Sequence, residues 1–214
     1  MTVKSRLQQP VRVAILDCDY VVPKVAETWG PTYSSIFAHR LQAVNKTLGS
    51  DRILEISAFD IIKDEYPNPN DFDAFLITGS IKGVYDKDTW IARLKSFIQE
   101  TYQYYQHVRL FGACFGHQII SEVLLERYGV IVEKDPKGYE VGIHKVALNP
   151  EFAAHFSHFE FDEEISTETI NYFFTPERGF MPEQTQAALD QIRGKDDSEE
   201  AAKVLHAFLT GSND

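Results

Sequence analysis

The stretch VRLFGACFGHQIISEVLLERY, residues 108–128, decides how the chain is read. An apolar run climbs to Gly112-Ala113-Cys114-Phe115-Gly116, and a helix-like pattern starts at once after it. Strand, G-x-C-x-G, helix is the thiol form of a nucleophile elbow. A sharp turn there lifts a reactive thiol clear of the sheet at the carboxyl end of a strand, where α/β folds bind ligands. Flanking glycines let neighbouring backbone pass where a β-carbon would clash. The amides that open the helix favour thiolate at Cys114, and the N–H of Phe115 points to where an oxyanion forms. A buried structural cysteine in a strand-to-helix turn would give the same five letters. The strand before the motif and the amphipathic helix after it favour function.

Working outward, VRVAILDC (11–18) is a short β-branched run and predicts a buried strand. In SSIFAHRLQAVNKTLG, residues Phe37, Leu41, Val44 and Leu48 fall at helical spacing, with Ser34 or Ser35 as cap and Gly49 as stop. RILEISAF (52–59) and AFLITGS (74–80) predict two more strands, separated by the breaker-rich YPNPNDFD. Asp88 is placed to cap a helix whose stripe is Ile91, Leu94, Ile98, Tyr102 and Tyr105. GVIVEK (129–134) and YEVGIHKVAL (139–148) predict a late strand pair, and PEQTQAALDQI and SEEAAKVLHAFL two terminal helices. Strands alternating with helices predict an α/β, flavodoxin-like layered domain with a mostly parallel central sheet. Residues 1–214 are expected to form a single domain, with a core of about 11–170 and a helical extension over 171–214.

The bulk composition bounds the function. The chain has 214 residues, is 43% hydrophobic and carries a net charge of −11, which argues against nucleic acid or anionic membrane as partner. No long uncharged apolar run predicts a membrane span, and the opening residues carry no secretory leader pattern. The only cysteines are Cys18 and Cys114, too few for a disulfide framework and without metal-ligand spacing, so a reducing, cytoplasmic setting is expected. His155, His158 and Glu160 are thin grounds for a metal site, and none is expected. No phosphate-binding loop occurs, and no cofactor is expected. Asp17 and Asp19 end the first strand on the ligand-binding edge; Cys18 suits a small core residue and Lys82 a solvated one.

GACFGHQII resembles the active-site signature of the class I, triad-type glutamine amidotransferases. FLITGSIKGVYDKDTWIARLKSFI resembles that family's preceding strand, oxyanion loop and helix. PKGYEVGIHKVAL resembles the strand pair after the elbow in a stand-alone, synthase-like subgroup that includes γ-glutamyl peptidases, and SHFEFDEEISTETI the region of the catalytic His-x-Glu. The resemblance runs, with interruptions, from about Val11 to Ile170. It implies Cys114 as nucleophile, His158 as base and Glu160 as its orienter. It implies oxyanion amides from Gly79 and Phe115, and a substrate-holding role for Gln118. His158 and Glu160 are two apart, so on a strand both side chains face one side, and a carboxylate fixing an imidazole that activates a thiol is triad chemistry. His117 adjoins the elbow but is expected to play a supporting part. The implied substrate is a small molecule, glutamine or a γ-glutamyl compound, and ammonia would pass to a separate synthase partner if one is used.

The chain departs from the resembled pattern after VGIHKVAL. NPEFAAHFSHFEFDEE follows directly, Ser157 stands where the family has glycine, and only 44 residues separate Cys114 from His158, which reads as an internal deletion before the His-x-Glu. Three functions therefore stand side by side. The first is a thiol hydrolase with a Cys114–His158–Glu160 triad. The second is a catalytically impaired or non-catalytic relative acting as a binding protein. The third is a redox protein with an oxidisable Cys114 that needs neither His158 nor Glu160.

Overall fold

Two neighbouring apolar strands set the middle of the molecule. The computed structural model describes residues 9–134, 136 and 198–211, with side chains in the last segment described from residue 201. β1 (Val11–Asp17) and β3 (Ala74–Ile77) are buried on both faces, as a parallel sheet covered on both sides requires. β2 (Leu54–Asp60) flanks β1, and β4 (Arg109–Gly112) flanks β3. The order is β2-β1-β3-β4 and every pairing is parallel. That is the first part of the flavodoxin-like order, whose switch point lies between β1 and β3.

Period-two alternation sorts the side chains into two cores. Ala14 and Leu16 of β1 and Phe75 and Ile77 of β3 join Trp90, Ile91, Leu94, Ile98, Phe115 and Ile119 on one face. Those residues come from α3 (Thr89–Tyr104) and α4 (Phe115–Leu125). Lys95 of α3 and Glu122 of α4 pair across the two helices. Val13, Ile15, Ala74 and Leu76 join Leu41, Leu205 and Leu209 on the other face. Those come from α2 (Tyr33–Thr47) and α5 (Ser198–Thr210). The sequence expectation placed this helix in a C-terminal extension; its Leu205 and Leu209 pack against β1 and β3.

Several local expectations are corrected. A short helix, α1 (Pro23–Trp29), went unread because only Val25 is buried, although proline at its first turn and Gly30 at φ 94° are its start and stop signals. α2 is capped at Thr32 rather than Ser34 or Ser35, and no side chain caps it; the Ser34 amide donates instead to Asp17 Oδ1 at 2.8 Å. Gly49 ends α2 as expected: at φ 59° it lets the Ser50 amide reach Asn45 O. Asp88 precedes α3 without a capping bond, since its carboxylate holds Lys82 Nζ at 3.0 Å. Tyr102 lies off the α3 stripe and is exposed; Thr101, one step back, takes the buried position. Residues 129–134 form no strand. Gly129 sits at φ 83° and the Val130 amide bonds Leu125 O, so this run closes the end of α4 with groups a ladder would use.

His206 of α5 gives the fold a pH dependence. It is 1% exposed, and its Nε2 lies 2.8 Å from Asn45 Oδ1 of α2. Its Nδ1 has no partner among the described residues. Burial, helped by Arg52, holds its pKa below the ordinary imidazole value. The unfolded chain therefore binds the proton first as pH falls. Stability is full above the unfolded pKa of about 6.5 and is lost below it, by at most about 1.4 kcal/mol per pH unit. Urea midpoints at pH 7.5 and 5.5 should differ more for wild type than for His206→Gln; equal differences contradict the assignment.

Candidate active site

β4 ends at Gly112 and α4 begins at Phe115, so two residues turn the chain. Cys114 takes φ 51° and ψ −111°, a conformation that costs an L-residue about 1–3 kcal/mol. The residues after it offset that cost. Phe115 and Ile119 are both 0% exposed, and Phe115 packs against Trp90 with ring centroids 5.5 Å apart. Burial of each such side chain contributes about 1.5–3 kcal/mol. The glycines are required by packing. A β-carbon on Gly112 would overlap the Gly116 carbonyl, and one on Gly116 would overlap Ile77 O and lie 2.8 Å from Ile77 C. The elbow is thus pressed against the end of β3, and the Ala113 amide bonds Ile77 O at 3.0 Å.

The turn leaves Cys114 exposed, whereas Cys18 is buried. Gln118 is exposed one turn along α4, and its amide donates to Cys114 O at 3.0 Å. His117 is exposed on the same turn, and no hydrogen bond joins it to Cys114. Gly79 faces the thiol: a β-carbon placed on it would lie 3.6 Å from Cys114 Cβ. The amides of Gly79 and Phe115 have no acceptor among the described residues. An amide after the nucleophile and one from the loop after β3 are the two donors an elbow of this kind uses. Cys114, Phe115, Gly79 and Gln118 are therefore brought to one place. His155, His158 and Glu160 lie outside the described residues.

Polar residues at the strand ends build the surroundings. Asp17 is 3% exposed and accepts from the Ser34 amide and, at 2.6 Å, from its hydroxyl. Burial raises the Asp17 pKa, and the Ser34 bonds oppose the rise. Asp19 accepts from the amides of Tyr20 and Ile81, both at 2.8 Å. Thr78 is fully buried, and its Oγ accepts the Cys18 amide at 2.9 Å. Both aspartates thus hold backbone amides. The sequence reading passed over Thr78; its signal was a polar residue closing an apolar strand. Among the described residues no three His, Cys, Asp or Glu side chains converge as metal ligands, and no helix is long and apolar enough to cross a membrane.

Burial raises the Cys18 thiol pKa far above its ordinary value. Iodoacetamide should modify Cys114 at least about tenfold faster than Cys18 in the folded protein, because the thiolate must be accessible to react. Peptide mapping reads the two rates, and comparable rates contradict the elbow geometry.

No protein-family model matches the chain. A glutamine amidotransferase-like protein of Schizosaccharomyces pombe is 30% identical over 141 residues, 64% of this chain and 55% of that protein. Over that span the chain is similar to glutamine amidotransferase-like proteins. γ-Glutamyl peptidase 5 of Arabidopsis thaliana is 31% identical over 93 residues, 42% of this chain and 35% of that protein. The crystal structure of a glutamine amidotransferase from Thermotoga maritima overlays with a TM-score of 0.44 at 17% identity, covering 78% of this chain and 57% of the other. That overlay adds no weight; the strand order carries the fold. The chain spans about half, or less, of the length of these curated relatives.

Proposed function

We propose that the chain is a thiol hydrolase of the γ-carbonyl of glutamine or of a γ-glutamyl amide. The observation that carries the reading is the exposed Cys114 at positive φ, with Gly79 across from it and a helix opening behind it. The names of the relatives, amidotransferase-like and γ-glutamyl peptidase, point to the same carbonyl.

Cys114 Sγ, as thiolate, adds to the γ-carbonyl carbon, and the carbonyl π pair moves to oxygen. The amides of Gly79 and Phe115 stabilise that oxyanion. His158 takes the thiol proton and returns it to the departing nitrogen as the C–N bond breaks. Glu160 holds the imidazole. Water, deprotonated by His158, adds to the thioester; the S–C bond then breaks, glutamate leaves and the thiol is restored. Gln118, exposed one turn after Cys114, holds the substrate. Released ammonia is free or passes to a separate synthase.

The 44-residue separation of Cys114 from His158 favours a second reading, in which the site binds a γ-glutamyl compound without turning it over. A chromogenic γ-glutamyl anilide separates the two. The hydrolase reading expects cleavage of the γ- but not the α-glutamyl anilide. Calorimetric binding of the γ-glutamyl compound without cleavage gives the second reading, and neither binding nor cleavage overturns both.

A further inference from the structure

The turn after β3 carries Gly79, and it is tied on both sides to the exit of β1. On the near side, Thr78 N–H donates to Leu16 O at 3.1 Å, and Thr78 Oγ accepts the Cys18 amide. Thr78 Oγ also donates to Gly79 O at 3.2 Å. On the far side, Asp19 Oδ2 accepts the Ile81 amide at 2.8 Å and lies 3.5 Å from Ser80 Oγ. Ser80 Oγ in turn accepts the Lys82 amide at 3.1 Å. Asp19 Oδ1 is held by the Tyr20 amide, so the carboxylate does not swing freely.

Thr78 holds the Gly79–Ser80 peptide through Gly79 O but does not reach the Ser80–Ile81 peptide beyond it. Asp19 is the contact that fixes the far end, 62 residues away in sequence. A carboxylate would repel a developing oxyanion, so its value here is positional, and backbone donors already occupy both of its oxygens. Displacing an oxyanion donor matters because its worth depends on aim: loss of one donor costs about 10²–10³ in rate. We infer that Asp19 is a positioning residue that aims the Gly79 amide at the oxyanion formed on Cys114. The inference rests on the reading of Cys114 as the nucleophile that adds to a γ-carbonyl.

The test compares two electrophiles on wild type, Asp19→Ala and Asp19→Asn. A γ-glutamyl chloromethyl ketone reacts through addition of Sγ to the carbonyl, giving an oxyanion, before chloride leaves and the thioether forms. Iodoacetamide alkylates Sγ by direct displacement and passes through no such oxyanion. Asp19→Ala should slow the ketone about 10- to 100-fold and change the iodoacetamide rate less than about twofold. Asp19→Asn keeps one acceptor oxygen and should recover part of the loss. Amide hydrogen exchange supplies an arm that does not depend on the chemistry: Ile81 should exchange at least about tenfold faster in Asp19→Ala, with β1 and β3 unchanged. Unchanged Ile81 exchange, or equal slowing of both reagents, overturns the role of Asp19. A wild type that takes the ketone no faster than iodoacetamide contradicts the γ-glutamyl reading, and with it the oxyanion that Asp19 would serve; faster Ile81 exchange in that case leaves Asp19 a structural anchor only.

Discussion

Cys114→Ala and His158→Ala should each lower γ-glutamyl amide hydrolysis at least about a thousandfold, because the proposed nucleophile and base act as a unit. Glu160→Gln should cost less, since the role proposed for that carboxylate is to orient the imidazole and not to act on the reacting carbon. The measurement is glutamate release under saturating γ-glutamyl amide, with circular dichroism to show that each variant is folded. Cys114 sits on the exposed side of the elbow and not in either core, so Cys114→Ala should leave the urea midpoint near wild type. Its φ of 51° is set by the packing of Gly112, Gly116 and Phe115 and not by the thiol. A variant that keeps most of the wild-type rate refutes the nucleophile assignment. One shared negligible rate in wild type and all three variants refutes turnover and leaves the binding reading.

Gly116→Ala destabilises the fold by about 3 kcal/mol, at the upper end of what overpacking usually costs. The added methyl meets Ile77 O and Ile77 C, which are backbone atoms in a central strand. Neither can turn aside as a side chain would. Relief requires β3 and α4 to separate, which moves the elbow and parts Phe115 from Trp90. Gly49→Ala is the comparison. Gly49 has φ 59° but open space around it, so only the backbone preference is lost, about 1 kcal/mol. Urea titration gives both differences. A Gly116→Ala cost no larger than that of Gly49→Ala contradicts the close approach of α4 to β3.

The sequence made the elbow legible because its chemistry and its sterics demand the same letters. Gly112 and Gly116 are required by backbone contacts, and Cys114 by the thiol. β1 and β3 were legible for a related reason: strands buried on both faces read as unbroken apolar runs. The ends of helices were less legible. Asp88 and Ser34 are good capping residues by type, yet tertiary partners claimed them, Lys82 in one case and Asp17 in the other. The VIV of residues 130–132 has strand composition, but the Gly129 turn committed its first amide to α4. Asp19 and Thr78 were hardest to read, because a polar residue at a strand end says nothing by itself about which backbone 60 residues away it will hold.

Cys114 as nucleophile requires a γ-glutamyl thioester, and trapping that adduct is the direct measurement. The protein is mixed with a γ-glutamyl amide, quenched in acid within milliseconds to seconds, digested and analysed by mass spectrometry. A γ-glutamyl increment is expected on the peptide carrying Cys114, absent from Cys114→Ala and removed by hydroxylamine. An unmodified Cys114 peptide at every time while the substrate is being consumed, or the increment on Cys18 instead, would contradict it.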